Sequence, residues 1–245
     1  MFPGFGTLVN VATVIIGSAI GLLLGHRLPQ RTRDTVTDAL GLVTLLIGGL
    51  SAVAVTSSEL SDAVGGSAPV LIVLGSLLVG GIIGSLADIE RRLEDLGVWL
   101  QYRFKARGSQ TRFVEAFVSS SLVFCVGPLT ILGSLSDGLG LGAQQLLLKS
   151  TLDGFAAIAF AASLGVGVMA SALAVGVIQG SLTLVGVLIG DFLPAAQLAA
   201  ITATGGLLLV GVGLRLLQIK SVPVGNLLPA LIVAPLLVQL VVILR

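Results

Sequence analysis

Charged residues are scarce in this chain. Only 10% of its 245 residues are Asp, Glu, Lys or Arg, and the mean hydropathy is +1.10. A soluble domain carries roughly a quarter charged residues, so this chain lacks the polar surface that water requires. Its apolar runs continue for about 20 residues without alternation, which favours membrane-spanning helices over a β-barrel. The composition predicts an all-α integral membrane protein.

Other residue types are scarce as well. A single cysteine gives neither a disulfide framework nor a metal cluster of paired cysteines. The only histidine, His26, argues against metal catalysis by histidine ligands. Walker, HExxH and GxSxG motifs are absent. We therefore expect no enzyme, no catalytic residues, no metal and no cofactor. No Lys or Arg precedes the first apolar run, so we interpret it as a retained span and not as a signal peptide.

Eight segments are long and apolar enough to cross the hydrocarbon core. They are Gly6–Leu24, Thr35–Val55, Pro69–Leu86, Phe113–Leu132, Leu146–Met169, Leu173–Gly190, Ala199–Leu217 and Leu227–Leu244. Almost no polar sequence separates the fifth from the sixth, so a seven-span chain, with these two merged or one re-entrant, is the alternative.

Nearly all basic residues follow spans one, three and seven, which places them on one side of the membrane. They are Arg27, Arg31, Arg33, Arg91, Arg92, Arg103, Lys105, Arg107, Arg112, Arg215 and Lys220. By the positive-inside rule this side is the cytoplasm. The opposite loops hold the acidic residues Glu59, Asp62, Asp137 and Asp191. Both termini are then predicted to lie outside.

Residues 88–107 form the one long polar segment. Its apolar residues recur every three or four positions, as on one face of a helix, at Ile89, Leu93, Leu96, Leu100 and Phe104. We expect an amphipathic helix on the cytoplasmic face. It either binds lipid or a partner, or only links the two halves of the chain.

A phrase near residue 21 recurs 165 positions later without a gap. "GLLLGHRLP" at 21–29 matches "GVLIGDFLP" at 186–194. Nine positions are identical at this offset, namely Gly21, Leu23, Gly25, Leu28, Pro29, Thr37, Gly41, Leu42 and Gly48 with their counterparts. "PVLIV" at 69–73 also resembles "PALIV" at 229–233. Spans one to three thus match spans six to eight.

The two matching triplets have opposite orientations in an eight-span chain. Span one runs inward and span six outward, which is the inverted repeat of many secondary transporters. The first copy of the phrase carries Arg27 and the second carries Asp191, so the charges follow the side of the membrane on which each copy ends. We interpret 1–245 as a single transmembrane domain. Within it, 1–87 is the first repeat, 88–112 the cytoplasmic helix and linker, 113–170 the central helices, and 171–245 the second, inverted repeat.

The fifth span carries two charges inside an apolar run. Lys149 and Asp153 are four residues apart and share a helix face. Ser150 adds a hydroxyl to the same segment. Charges in hydrocarbon are costly and indicate function by default, so the pair is predicted to bind or gate a solute. The alternative is that Lys149 reaches the outer headgroups and Asp153 only neutralises it.

The fourth span combines polar side chains with a helix breaker. Ser121 and Cys125 precede Gly127 and Pro128. Proline removes a backbone donor and clashes with the preceding turn, which leaves backbone carbonyls without hydrogen bonds. We predict that these carbonyls line a cavity or bind a cation, because irregular backbone is tolerated within a membrane only there or inside protein. A kink that serves packing alone is the alternative.

Other features are interpreted as helix contacts. Asn10, Thr13, Gln179 and Thr183 are dispersed, and we expect hydrogen bonds between helices. The small-residue face Gly17, Gly21 and Gly25 predicts self-association, hence a homodimer.

Four stretches together resemble a known family. They are the "GxxxGxxLP" pattern closing span one, "FCVGPLTILGS", "LLLKSTLDGFAAIAFAASLGVGV" and "GNLLPALIV". They are similar to a bacterial membrane family of unknown function with YqgA-like and YdfK-like members, DUF554. The resemblance covers nearly the whole chain and implies a multi-pass protein of the bacterial inner membrane. It implies no substrate.

Two functions remain open at this point. The first is a secondary transporter or channel for a small ion or solute, with polar groups of the central helices lining the site. The second is a membrane scaffold or sensor that acts through the cytoplasmic helix. The expected partners are the lipid bilayer, an unidentified small ion or solute, and a second copy of the chain. No nucleic-acid partner is expected.

Overall fold

The computed structural model describes residues 2–25, 29–103, 109–125, 128–189 and 194–244. Within these ranges the chain forms α-helices and one short 3-10 turn, Val53–Thr56, and no strand. The helices are α1 Phe5–Gly25, α2 Gln30–Ala52, α3 Ser58–Val64, α4 Ala68–Leu86, α5 Ile89–Arg103, α6 Gln110–Cys125, α7 Pro128–Gly138, α8 Gln144–Leu164, α9 Gly167–Ile189, α10 Ala195–Leu216, α11 Val224–Leu227 and α12 Ala230–Leu244. The prediction of an all-α chain is confirmed.

Seven helices in the described ranges are long and apolar enough to cross a membrane, counting α2 with the turn after it and α11 with α12 as one each. Helices α6 and α7 meet at an angle of 75°, so neither counts as a straight span. Together they make an eighth candidate if the bent pair is one span. The predicted fifth and sixth spans are separate helices, since α8 ends at Leu164 and α9 begins at Gly167. Gly165 stands between them with φ +97°, a conformation that side chains disfavour.

The chain divides into two compact units, each drawn from both halves of the sequence. Unit 1 comprises Met1–Leu40 and Glu94–Phe192, and unit 2 comprises Gly41–Leu93 and Leu193–Arg245. Helices α2 and α5 pass from one unit into the other. The segment boundaries proposed from the sequence repeat stay a prediction.

In unit 1, α1 and α8 run parallel in close contact. A Cβ on Gly17 would overlap the carbonyl oxygen of Gly154, and one on Gly21 would overlap that of Ile158. Gly25 meets Ala162 one turn further on. The small-residue face that was expected to drive self-association is therefore covered by α8 of the same chain. Its glycines serve backbone-to-backbone packing inside unit 1.

Helix α9 of unit 1 packs in the same way against α6 and α7. A Cβ on Gly167 would overlap the carbonyl oxygen of Phe113, near the start of α6. A Cβ on Gly186 would lie 2.7 Å from the carbonyl oxygen of Leu135 in α7. Gly138 in turn faces Thr183. The start of α9 therefore packs against α6, and its end packs against α7.

In unit 2, α2 packs antiparallel to α10, and α4 packs antiparallel to α12. A Cβ on Gly206 would lie 2.6 Å from the carbonyl oxygen of Gly48. A Cβ on Gly213 would lie 3.1 Å from that of Gly41. Gly80 lies against Ala230 at the second contact. Unit 2 also contains a small apolar core, formed by Leu60, Val64, Ile72, Ala196, Ala200, Ala234 and Val238.

Glu90 ties together three segments of unit 2. Its carboxylate receives a hydrogen bond from the guanidinium of Arg215 at 2.7 Å and one from the backbone N–H of Gly225 at 2.6 Å. The Glu90 backbone N–H donates to the side-chain oxygen of Asn226 at 2.9 Å. The start of α5 is thereby fixed to the end of α10 and to α11.

The rest of α5 only partly matches the predicted amphipathic stripe. Leu100 is buried, as predicted, but Leu96 is 41% exposed, and Phe104 lies outside the described residues. Gly97, which the stripe did not include, is buried against Phe117 of α6. A glycine lets the helix approach its neighbour closely, and this shifts the buried face away from Leu96.

Two adjacent glycines of α2 provide a matched test of this packing. A Cβ at Gly48 would lie 2.8 Å from the Gly206 oxygen, whereas a Cβ at Gly49 would meet nothing within 4 Å. We expect Gly48→Ala to cost about 1–3 kcal/mol through overpacking. Gly49→Ala should be neutral or stabilise by up to about 1 kcal/mol through helix propensity. Gel filtration of heated, detergent-solubilised protein measures both, and equal melting temperatures would contradict the α2–α10 contact.

Candidate functional site

A buried ion pair lies within unit 1. The Lys149 Nζ is 2.5 Å from Oδ2 of Asp153, and the two residues are only 6% and 7% exposed. Asp153 is the tenth of the 21 residues of α8, so it lies at the middle of a candidate span. The lysine is enclosed by protein, which disfavours the alternative that it reaches out to headgroups.

Asn10 of α1 completes the pair. Its side-chain N–H₂ donates to the same Asp153 oxygen at 2.9 Å. Asn10 is fully buried, and its Oδ1 has no hydrogen-bond partner. The bond to Asp153 fixes the orientation of the amide, because only the N–H₂ end can donate to a carboxylate. The site therefore contains an oriented carbonyl oxygen with unused acceptor capacity.

Helix α9 brings Gln179 to the level of Asn10. The hydroxyls of Thr7 and Thr183 are 3.4 Å apart, and a Cβ on Gly176 would lie 3.4 Å from Val11. Since these contacts are antiparallel, Gln179 lies between them, as Asn10 does on α1. Gln179 is fully buried, and neither its amide oxygen nor its amide nitrogen has a partner. Such orphan groups are uncommon in protein interiors.

The break between α6 and α7 lies level with the middle of α8. Phe124 stacks edge-on against Phe160 with ring centroids 6.0 Å apart, and Gly133 lies against Leu146 on the other side of the break. The Thr130 hydroxyl donates to the carbonyl oxygen of Phe124 at 3.2 Å, which satisfies one acceptor that the break frees. Asp153 lies between the levels of these two contacts.

The residues predicted at the break are partly described. Cys125 is the last residue of α6, is buried, and lies close enough to Lys149 and Asp153 for their charges to influence its thiol. Pro128 begins α7, although its side chain lies outside the description, and Gly127 lies outside the described residues altogether. The structure thus places Cys125 and the start of α7 near the charged pair.

The serines of the site divide into two groups. Ser150 is buried, and its hydroxyl donates to the Leu146 carbonyl at 2.6 Å, so it is occupied by its own helix. The Ser121 hydroxyl is buried without a hydrogen-bond partner, as are those of Ser18, Ser119 and Ser134 in the same unit. The predicted role is therefore better suited to Ser121 than to Ser150.

Asp137 corrects a prediction from the sequence. It was expected in a loop on the side opposite the basic residues, but it lies in α7 and is only 3% exposed. Its Oδ2 accepts the backbone N–H groups of Gly4 and Gly6, each at 3.1 Å. The first N–H groups of a helix have no partner within it. Asp137 supplies that partner for α1 from a distant part of the chain.

The donor set limits the chemistry of the site. Within the described ranges no three His, Cys, Asp or Glu side chains come together as a metal cluster would require. The polar groups brought together are one carboxylate, one ammonium, and neutral amides, hydroxyls and a thiol. This arrangement is suited to binding a small charged or polar solute.

Several candidate spans joined in one chain, with charges buried between them, define a multi-pass membrane protein. The chain belongs to the family described as "Protein of unknown function (DUF554)", whose family model matches residues 5–239. The family resemblance seen in the sequence is thereby confirmed.

Two relatives match nearly end to end. The chain is 32% identical over 232 residues to "Uncharacterized protein YqgA" of Escherichia coli (strain K12), covering 94% of each chain. It is 30% identical over 234 residues to "Uncharacterized membrane protein YdfK" of Bacillus subtilis (strain 168), covering 96% of this chain and 95% of the relative. No solved structure matches the chain.

The ion pair predicts a characteristic pattern of stability. Asp153→Leu leaves Lys149 buried and unpaired, which should cost about 3–5 kcal/mol. Adding Lys149→Met should restore most of that loss, because no buried charge remains. Asp88→Asn is the control, since the Asp88–Arg91 pair is exposed, with its charged atoms 3.9 Å apart, and contributes little. Unfolding midpoints in detergent measure all three, and a double variant no more stable than the single one would refute the pairing.

Proposed function

We propose that this protein is a secondary transporter or channel for a small ion or solute. Its site would lie in unit 1, where the middle of α8 faces the break between α6 and α7. The observation that carries the proposal is the buried Lys149–Asp153 pair at the centre of a candidate span. The substrate would contact this pair together with Asn10, Cys125 and Ser121.

The energetics of buried charge support this role. Replacing a buried ion pair by apolar residues is often neutral or stabilising, so such a pair has little value as a structural element. Ionisable groups inside spans typically mark pathways for ions or substrates. A helix broken at the same level supplies free helix ends, which transporters use to hold charged substrates. Here the break lies between Cys125 and Pro128.

Contacts in unit 2 support the inverted repeat that the sequence predicts. Around a two-fold axis, a contact between residue i of one copy and residue j of the other recurs with the roles exchanged. At the offset of 165, Gly41 is equivalent to Gly206, and Leu217 to Ala52. Gly41 packs against Leu217, and Gly206 packs against Ala52. The first contact thus recurs with the copies exchanged.

A second exchanged pair lies beside the first. Gly48 is equivalent to Gly213, and Val210 to Leu45. A Cβ on Gly48 would lie 2.8 Å from the Val210 nitrogen, and a Cβ on Gly213 would lie 2.7 Å from Leu45. These contacts join antiparallel helices, so the implied axis relates two copies of opposite direction.

Unit 1 contains the corresponding feature for the first helix of each repeat. Val11 and Gly176 are equivalent at the same offset, and they contact each other. In a two-fold symmetric arrangement, a residue contacts its own equivalent only close to the two-fold axis. Contacts in both units thus relate residues that are equivalent at the same offset of 165. This supports a repeated and inverted element, as in many carriers that alternate between two openings.

A second candidate function is a scaffold or sensor acting through α5. Trp99 and Tyr102 on this helix are 56% and 77% exposed. Exposed aromatic side chains with polar tips favour a headgroup layer or a partner surface.

The inverted repeat predicts where labels will react. Pro29 and Pro194 are equivalent, exposed, and adjacent to helix starts. In a Cys125→Ala background, Pro29→Cys and Pro194→Cys should react with a membrane-impermeant maleimide from opposite faces of oriented vesicles. Labelling of both from the same face would refute the inverted relation.

Transport itself is tested by flux into reconstituted vesicles. We expect the wild-type protein to carry at least one solute from a panel of inorganic ions, amino acids and organic acids. Asp153→Asn and Lys149→Ala should reduce that flux at least about tenfold, equivalent to roughly 1.4 kcal/mol in a rate barrier. Asp88→Asn should leave it unchanged. Folded wild-type protein with no flux across the panel would contradict the proposal and favour the scaffold.

A further inference from the structure

We infer that Asp153, Asn10 and Gln179 bind a dehydrated monovalent alkali cation, such as Na⁺, that competes with Lys149 for the carboxylate. The inference rests on the proposed function, since it names the ion class of that site. The cation would be held by the Asp153 carboxylate, Oδ1 of Asn10 and Oε1 of Gln179. In its absence, the lysine ammonium takes its place.

The unpartnered side-chain oxygen of Asn10 favours a cation as the ligand of the site. The N–H₂ group of Asn10 is used on Asp153, so the end that remains free is an acceptor. The oxygen is fully buried beside a carboxylate. An anion would be repelled by both groups. Alkali and other hard cations take oxygen ligands of these two kinds, amide carbonyl and carboxylate.

Gln179 supplies an independent reason. It is fully buried with both amide ends unpartnered, at the level of Asn10 on the facing helix. A buried polar group without a hydrogen-bond partner costs roughly 1–3 kcal/mol. A buried hydroxyl avoids this cost by donating to a backbone carbonyl of its own helix, as that of Ser150 does. The longer glutamine amide is expected to find its partner elsewhere. A bound cation provides one.

The charge of the site indicates a monovalent ion. One carboxylate and neutral oxygens balance a single positive charge, whereas a buried excess charge is severely penalised. Sites for Ca²⁺ and Mg²⁺ are richer in carboxylates. No group of three acidic, His or Cys side chains occurs in the part of the chain that the structure describes. Either Lys149 or the cation then neutralises Asp153.

Competition with Lys149 gives the inference a signature of its own. The Lys149 Nζ and the Asn10 amide meet the same oxygen of Asp153. A cation that binds there must displace the ammonium, and Lys149 must then release its proton to water so that no unpaired charge stays buried. Removal of the lysine charge should therefore strengthen cation binding, while removal of the Asp153 charge abolishes it. A substrate attracted by Lys149 would show the opposite response.

The experiment measures equilibrium binding of ²²Na⁺ to full-length protein in detergent, with choline holding ionic strength constant and Li⁺, K⁺ and Mg²⁺ as competitors. We expect saturable binding to the wild-type protein, displaced by an alkali cation and not by Mg²⁺. Asp153→Asn should weaken binding at least about tenfold, and Lys149→Gln should tighten it by a similar factor, roughly 1.4 kcal/mol each way. Glutamine keeps a hydrogen bond to Asp153, which protects folding.

Gln179→Met separates a ligand from a structural residue. Methionine has a similar length and no orphan amide, so the cation-free protein should melt at a higher temperature. Binding of ²²Na⁺ should nevertheless weaken about tenfold. Thr204→Val is the matched control, since Thr204 is a fully buried residue in unit 2 whose hydroxyl has no partner. It should leave binding unchanged.

The outcomes separate this inference from the proposed function. Saturable binding with these variant effects supports the cation site even if vesicles show no flux. Flux that is lost in Asp153→Asn, without alkali-cation binding to the folded wild-type protein, overturns the cation site and leaves transport standing. Unchanged binding in Asp153→Asn, or weaker binding in Lys149→Gln, also overturns the cation site.

Discussion

The enclosure of one charged pair by protein shapes the whole of unit 1. Lys149 and Asp153 can remain ionised within a candidate span only if neighbouring helices exclude lipid and supply hydrogen bonds. Asn10 reaches Asp153 because α1 approaches α8 closely. That approach depends on Gly17, where a Cβ would lie 2.4 Å from the carbonyl oxygen of Gly154. The glycine contact and the ion pair therefore depend on each other. The close packing at Gly17 brings α1 near enough to α8 for Asn10 to reach Asp153.

Features fixed over short distances along the chain could be predicted from the sequence. The apolar runs gave the candidate spans, because a helix needs about 20 such residues to cross hydrocarbon. The spacing of four between Lys149 and Asp153 gave the pair, because such residues share a helix face. Proline after glycine gave the break that separates α6 from α7, although the size of the bend could not be derived. Gly165 explains why the fifth and sixth spans are separate.

Features that join distant segments could not be predicted. The interhelical hydrogen bond predicted for Asn10 is confirmed, but the sequence did not indicate that its partner would be Asp153. Asn226, the other asparagine in the chain, also bonds an acidic residue, Glu90, through that residue's backbone. Asp137 was assigned to a loop because its partners at the start of α1 lie more than 130 residues away. The glycine face of α1 was assigned to a second copy, since periodicity shows that a face packs closely but not against which helix.

The single cysteine has a practical consequence. Cys125 ends α6 at the break, is buried, and lies within electrostatic reach of the charged pair. The chain contains no other thiol. The sequence thus carries one uniquely addressable thiol at the break between α6 and α7, beside the proposed substrate site. Its rate of alkylation reports the hydration of that point directly, so water access to the proposed site can be followed without introducing a foreign residue.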